Sequence, residues 1–114
     1  MTPKSVIAVA GQFHVAAIQQ YAQAAKLGYQ DERYRPMIDE DAVQAARDLV
    51  GESRLQGMFA RMCGDRRFDL TIEWLVVQPR FGGLFEEELI QQARRRLTQG
   101  GFAGPFPEEK TARV

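Results

Sequence analysis

Four stretches of the sequence repeat apolar residues at steps of three and four, and each of them ends at a glycine. Such steps place side chains on one face of an α-helix, and glycine readily ends a helix. The glycines are Gly28, Gly51, Gly64 and the pair Gly100-Gly101. A chain of 114 residues has the length of one domain. The pattern therefore predicts one domain built from four long or medium helices.

The first helix is predicted to begin at Thr2 and Pro3, which suit an N-cap and the first helical position. It should end near Leu27. The predicted buried face of this helix comprises Val6, Ile7, Ala10, His14, Ala17, Ile18, Tyr21 and Ala25. The apolar run from Val6 to Ala10 leaves a short strand as an alternative for the beginning of this segment.

The connector after the first helix should be irregular, because residues 28 to 38 are polar and contain Pro36. Asp39 is predicted to cap a second helix, and Ser53 a third. The fourth helix has Glu86, Glu87 and Glu88 in its first turn and Arg94, Arg95 and Arg96 in its last turns. This order of charges is the one that the helix dipole favours.

Residues 68 to 74 alternate between apolar and polar, which is typical of a strand. Asp69 also suits an N-cap, however, and the residues after it fit one face of a helix. A strand needs a neighbouring strand for its backbone hydrogen bonds, and the sequence offers no clear partner. We therefore predict a short fifth helix at Leu70–Val77, stopped by Pro79. An α+β fold with a strand at 68–77 is the alternative.

The composition is that of an ordinary globular protein, with 45% hydrophobic and 26% charged residues. Together with the helical pattern it predicts a compact all-α bundle of four to five helices at residues 1–100. The glycine- and proline-rich residues 101–114 are predicted to form a loosely ordered tail, in which Phe102 and Phe106 are candidates for docking. The sequence has no signal-peptide or membrane-span pattern, so we expect a cytoplasmic protein and no membrane partner.

Few residues suit catalysis or metal binding. The single histidine, His14, and the single cysteine, Cys63, have no metal-ligand spacing, so we expect no metal and no cofactor. Nucleotide-binding glycine motifs and the serine hydrolase motif are missing from the sequence. Asp69 and Glu73 would share one side of a helix and are the only candidates for a hydrolytic site. A helix cap and a surface ion pair account for them more simply.

Nucleic-acid binding is an alternative function. Residues 43 to 62 have the helix, glycine turn and helix of a DNA-binding motif, centred on Gly51. The candidate phosphate contacts are Arg54, Arg61, Arg94, Arg95 and Arg96. The formal net charge is zero, and residues 39 to 48 are acidic, which opposes phosphate binding.

Protein binding is the interpretation that the sequence favours. Aromatic residues and arginines, which are enriched at the centres of protein interfaces, gather between residues 66 and 85. We therefore predict a non-catalytic interaction module that self-associates or serves as a small subunit of a larger assembly. The candidate interaction residues are Arg66, Arg67, Trp74, Arg80, Phe81 and Phe85, with Phe81 expected to reach the surface.

Overall fold

A computed structural model describes residues 3–52 and 57–106, with side chains from residue 7 onwards in the first helix. These residues form six α-helices: α1 Pro3–Lys26, α2 Tyr34–Glu40, α3 Ala42–Val50, α4 Gly57–Gly64, α5 Ile72–Val76 and α6 Glu87–Gln99. Two 3₁₀ segments, Phe68–Leu70 and Pro79–Leu84, flank α5. The described residues contain no strand, which confirms the prediction of an all-α single-domain fold.

Glycine ends α1 and α6 as predicted. The backbone N–H of Tyr29 donates to the carbonyl of Ala24 at 2.9 Å, and Gly28 between them has a φ of 96°. The N–H of Phe102 donates to the carbonyl of Leu97 at 2.9 Å, around Gly101 with a φ of 111°. Both turns need a residue at positive φ, which glycine adopts without steric cost.

The end of α4 departs from this rule. The helix stops at Gly64 as predicted, but the positive φ, 61°, belongs to Arg66. The N–H of Arg67 donates to the carbonyl of Met62 at 2.7 Å and closes the turn. A left-handed arginine is strained because its Cβ crowds the backbone.

The predicted connector between the first two long helices is wrong, because it contains most of α2. Pro36 lies in the first turn of α2, where its missing N–H is not needed. Asp39 therefore lies inside α2, and the cap of α3 is Asp41, whose side chain accepts from the N–H of Gln44 at 3.1 Å. The predicted cap at Ser53 lies outside the described residues.

The segment that alternates in sequence is helical. It forms the 3₁₀ turn Phe68–Leu70 followed by α5, in place of one helix at Leu70–Val77. The predicted cap at Asp69 is wrong. Thr71 caps α5, because its backbone is extended and its hydroxyl accepts from the N–H of Trp74 at 3.1 Å.

The buried face of α1 is rotated from the predicted one. Phe13, Ala17 and Ala24 are buried, whereas Ile7 is 70% exposed. Phe13 packs edge-on against the rings of Phe81 and Phe85, at centroid distances of 5.0 and 5.3 Å. Small and apolar residues surround this helix on most sides, so their period alone does not define which side faces the core.

The residues after α6 return to the body of the protein. The ring of Phe102 lies 5.3 Å from that of Phe68 and 5.5 Å from that of Trp74, and Phe106 lies 5.0 Å from Phe102. Residues 107–114 lie outside the described part of the chain. Among the described residues, no helix is both long enough and apolar enough to cross a bilayer.

Candidate functional site

An open groove runs along α1, where this helix meets α5 and the two 3₁₀ segments. It consists of two adjoining hollows of about 380 and 500 Å³, which share Ala16, Gln19 and Arg80. We call it the α1 groove. Its remaining lining residues are Ala8, Gly11, Gln12, Val15, Gln20, Gln23, Asp69, Leu70, Trp74, Leu75 and Gln78.

The α1 groove is almost free of charge. Among the residues that the structure describes, Asp69 and Arg80 are the only charged ones that line it. The helix wall contributes none, because the sequence has no aspartate, glutamate, lysine or arginine from residue 5 to residue 25. In a chain with 26% charged residues, such a stretch on an exposed helix is unusual. Amides and small apolar side chains form the surface instead.

Hydrogen bonds hold the walls of the α1 groove together. The amide nitrogen of Gln20 donates to the carbonyls of Asp69 and Thr71, at 3.0 and 2.8 Å, and so joins α1 to the segment before α5. Within the opposite wall, the amide nitrogen of Gln78 donates to the carbonyl of Trp74 at 2.9 Å. The groove is therefore a preformed surface.

Arg80 is exposed at the point where the two hollows of the α1 groove meet. Its guanidinium lies over the ring of Phe81, 4.5 Å from the centroid, which is cation–π geometry. Trp74 lines the same groove and is half-buried because Phe102 covers part of its ring. Arginine and tryptophan at a groove are residue types that often anchor protein partners.

The structure brings two of the six predicted interaction residues, Trp74 and Arg80, into the α1 groove. Arg67 pairs at 3.1 Å with Asp69 on the rim of the groove, and Arg66 lies over the ring of Phe68 at 5.9 Å. Phe81 and Phe85 are buried in the core. The expectation that Phe81 reaches the surface is therefore wrong, because the second 3₁₀ segment turns its ring inward onto Phe13.

Glu73 is buried, in contrast to the predicted surface pair. Its carboxylate accepts from Nε of Arg96 at 2.7 Å, and both side chains are 2% exposed. A second nitrogen of Arg96 donates to the carbonyl of Glu52 at 3.1 Å, and the guanidinium lies 5.1 Å from the ring of Phe59. Burial raises the pKa of Glu73, and the charge of Arg96 opposes that shift. The pair lies inside the protein and faces no groove.

The positions of Asp69 and Glu73 do not support the hydrolytic alternative. Asp69 is exposed, and its hydrogen bonds from Arg67 lower its pKa, whereas Glu73 lies in the core with Arg96. Asp69 and Glu73 therefore do not face a common space. Nδ1 of His14 accepts from the N–H of Ala42 at 3.4 Å, at the start of α3. In the described part of the chain, no group of three metal-ligating side chains comes together.

The arginines of the nucleic-acid alternative occupy different environments. Arg96 is buried, and Arg54 lies outside the described residues. Arg61 lies over the ring of Tyr29 and Arg94 over the ring of Phe106. Arg95 lies beside Gln92 and donates to its side-chain oxygen at 2.7 Å. Because Arg96 cannot reach a phosphate, the predicted set does not form one basic surface.

A small apolar pocket also lies between α1, α2, α4 and α5. Its volume is about 20 Å³, and Tyr34, Met58 and Glu73 are among the residues that line it. A space of this size has room for one water molecule. It is too small for an organic ligand, so the α1 groove is the candidate functional site.

The glutamines of the α1 groove were not among the predicted site residues. Gln19 and Gln23 line it, and Gln20 links its walls. The signal that points to them is the lack of charge from residue 5 to residue 25. Comparison with protein families, with curated proteins and with solved structures finds no match to this chain.

Proposed function

We propose that the protein is a non-catalytic interaction module, and that the α1 groove binds its protein partner. The observation that supports this proposal is an exposed, preformed groove that carries Trp74 and Arg80 on a surface of amides and small apolar groups. A helix that is fully solvated on its outer side normally carries charges there. Between residues 5 and 25 the outer side of α1 carries none, so it suits a face that leaves water when a partner binds.

The composition of the groove defines the chemistry of that partner. Arg80 is a cation and lies in the same groove as Trp74. This combination favours an apolar segment that brings one acidic group or one exposed backbone carbonyl to Arg80. Glutamine side chains both donate and accept, so Gln19 and Gln23 suit the backbone or amides of a protein chain. The partner is a second copy of the chain or another protein of the same cell.

Arg80→Glu tests this function. We expect the mass of the complex, measured by light scattering in the presence of the partner, to fall towards that of the 12.9 kDa chain. The partner is a second copy or a protein cross-linked to this chain in its host. The reversed charge removes the only cation that the described residues place in the groove, and it leaves the core intact because Arg80 is exposed. We expect partner binding to weaken at least about tenfold.

Arg95→Glu is the matched control, because Arg95 is also exposed but lies on α6 and does not line the groove. Equal weakening by both variants would contradict a specific role for the groove. A salt-sensitive DNA mobility shift that depends on Arg95 and not on Arg80 would also overturn the proposal, in favour of nucleic-acid binding.

A further inference from the structure

The chain that follows α6 crosses Trp74. Residues 102–106 lie on the body of the protein, and we call them the strap. The ring of Phe102 packs on the rings of Phe68 and Trp74, at centroid distances of 5.3 and 5.5 Å. Phe106 packs on Phe102 at 5.0 Å. Trp74 also lines the α1 groove, so the strap and the groove meet at this residue.

The strap has few contacts other than those of its rings. The backbone N–H of Phe102 donates to the carbonyl of Leu97, which fixes where the strap begins. Residues 103–106 have no backbone hydrogen bond to any other residue that the structure describes. Ala103 and Pro105 are exposed, and the two phenylalanines of the strap are half-buried. Such a segment opens at a lower free energy than the helices beside it, so the strap can lift while the domain stays folded.

The surface beneath the strap is aromatic and is bordered by an arginine. Phe68 and Trp74 lie under Phe102, and the guanidinium of Arg66 lies over the ring of Phe68 at 5.9 Å. With Phe102 lifted, this surface continues the α1 groove from Arg80 past Trp74 to Arg66. These are three of the residues that the sequence predicts to bind a partner, and aromatic side chains with arginine are typical of interface centres. The strap therefore covers part of one longer surface.

We propose that the strap is a removable cover of the binding surface, and that a partner binds by replacing Phe102 with an aromatic side chain of its own. The inference rests on the proposed function of the α1 groove and adds a closed state to it. Phe102 itself indicates the chemistry, because its ring stands edge-on to Phe68 and to Trp74, at 67° and 73°. Edge-to-face pairs of this kind are favourable, so a partner's ring can take the same position. Strap and partner compete, because both use Trp74.

The fluorescence of Trp74 tests the cover, because this residue is the only tryptophan of the chain. In the full-length double variant Phe102→Ala with Phe106→Ala, we expect the emission to shift to longer wavelengths and acrylamide to quench it more strongly. The circular dichroism spectrum should stay helical. Phe85→Leu is the matched control. Its ring packs on Phe13 in the core, so this variant should lower the free energy of unfolding and leave the emission of the folded protein unchanged.

A peptide with the sequence of residues 100–106, Gly-Gly-Phe-Ala-Gly-Pro-Phe, tests what the uncovered surface accepts. Added to the double variant at about 0.1–10 mM, it should return the emission towards that of the unmodified chain in a saturable manner. The same peptide with alanine at both phenylalanine positions should have no effect. In an NMR titration the unmodified chain should bind the first peptide at least about tenfold more weakly, because its own strap competes at an effective concentration of millimolar or more.

Three results would overturn the inference. If the double variant stays helical and its emission does not shift, Phe102 does not cover Trp74. If the emission shifts but the peptide does not restore it, the surface accepts no aromatic segment from outside the chain. If the double variant does not fold, Phe106→Ala decides, because it removes only the outer ring of the strap. It should give a smaller shift in the same direction, and an unchanged emission would contradict the cover.

These measurements use no partner protein, so their outcome is independent of the proposed function. If they confirm the cover but Arg80→Glu weakens partner binding no more than Arg95→Glu does, the strap covers Trp74 and the α1 groove is not the partner's site. If the cover fails and Arg80→Glu alone weakens partner binding, the groove keeps its proposed function and the closed state is wrong.

Discussion

The Glu73–Arg96 pair and the outer face of α1 depart from the usual distribution of residues in opposite directions. The pair places two charges in the core, where each is 2% exposed. The outer face of α1 places two large apolar side chains, Ile7 and Val15, in water. The pair is satisfied within the chain, because Arg96 bonds to Glu73 and to the carbonyl of Glu52. The outer face has no such internal partner in the described residues. This difference separates a structural feature from a candidate binding surface.

The largest expected effect is that of Glu73→Gln. It leaves the guanidinium of Arg96 buried without its counter-charge, and breaking a buried pair in this way costs about 3–5 kcal/mol. We expect the free energy of unfolding, measured with urea, to fall by that amount. The oligomeric state at a fixed folded concentration should not change, since Glu73 does not reach the surface.

Asp69→Asn is the matched control, because Asp69 lies only four residues earlier but pairs with Arg67 at the surface. Its loss should cost less than about 1 kcal/mol. The double variant Glu73→Leu with Arg96→Met replaces the pair by apolar groups and should recover much of the loss. If Glu73→Gln costs no more than Asp69→Asn does, the pair is not the buried anchor that its geometry indicates.

The second prediction concerns Cys63, which packs near that pair. Burial raises the pKa of its thiol to about 11. Because the thiolate is the reactive form, labelling at pH 8 should be at least about 100-fold slower in the folded protein than in urea. The unfolded thiol has a pKa of about 8.5. The thiol's contribution to the free energy of unfolding is therefore complete below pH 8.5 and decreases as the pH rises towards 11.

The rate of Cys63 labelling should also distinguish the two regions. Glu73→Gln destabilises the whole domain and should speed the reaction, whereas Ile7→Glu changes only the outer face of α1 and should not. Native labelling at the rate of the urea-unfolded protein would contradict the burial of Cys63.

Replacement by alanine should change the free energy of unfolding in opposite directions at two glycines, Gly100 and Gly11. A Cβ at Gly100 would lie 2.5 Å from the Sγ of Cys63, whereas one at Gly11 meets nothing within 4 Å. Gly100→Ala should therefore cost about 1–3 kcal/mol, as overpacking does. Gly11→Ala should stabilise the chain by about 1 kcal/mol, because alanine favours the helix. Thermal unfolding measures both.

Cys63→Ala gives the control for that comparison. In this background the contact with Sγ is gone and only the Cβ of residue 63, at 3.0 Å, stays close, so the cost of Gly100→Ala should become smaller. An unchanged cost would place the strain elsewhere in the backbone.

How much of this could be predicted from the sequence depends on the range of the interactions involved. The ends of α1 and α6 were predictable, because Gly28 and Gly101 adopt positive φ values that glycine tolerates best. Helix rather than strand at α5 was also correct. Thr71 rather than Asp69 became its cap, because the 3₁₀ turn of residues 68–70 shifts the start of the helix. Two helix caps only a few residues apart are hard to distinguish by local rules.

The features that determine the site depend on contacts between distant residues. The predicted buried face of α1 included Ile7 and omitted Phe13, because the apolar period of this helix fits more than one orientation. Phe81 and Phe85, which are distant from α1 in sequence, determine which side of α1 faces the core, because they pack on Phe13. Glu73 meets Arg96 across 23 positions of sequence. Neither pairing is indicated by the sequence near either residue. The groove and the buried pair therefore could not be predicted from the sequence.

The smallest expected effect is that of Arg66→Gly. It tests a residue that is unusual in its backbone conformation, as the buried pair and the outer face of α1 are unusual in their burial. Arg66 has a φ of 61°, where glycine is favoured, and it lies over the ring of Phe68 at 5.9 Å. Arg66→Gly should raise the free energy of unfolding by about 0.5–1 kcal/mol, the strain relieved exceeding the entropy that glycine adds to the unfolded chain. Arg61→Gly, within α4, should lower it by about 1 kcal/mol and serves as the control. If Arg66→Gly stabilises the chain but weakens partner binding, the strained arginine contributes to the interaction surface, as the sequence predicts. If it stabilises the chain and leaves binding unchanged, Arg66 is not part of the interaction surface.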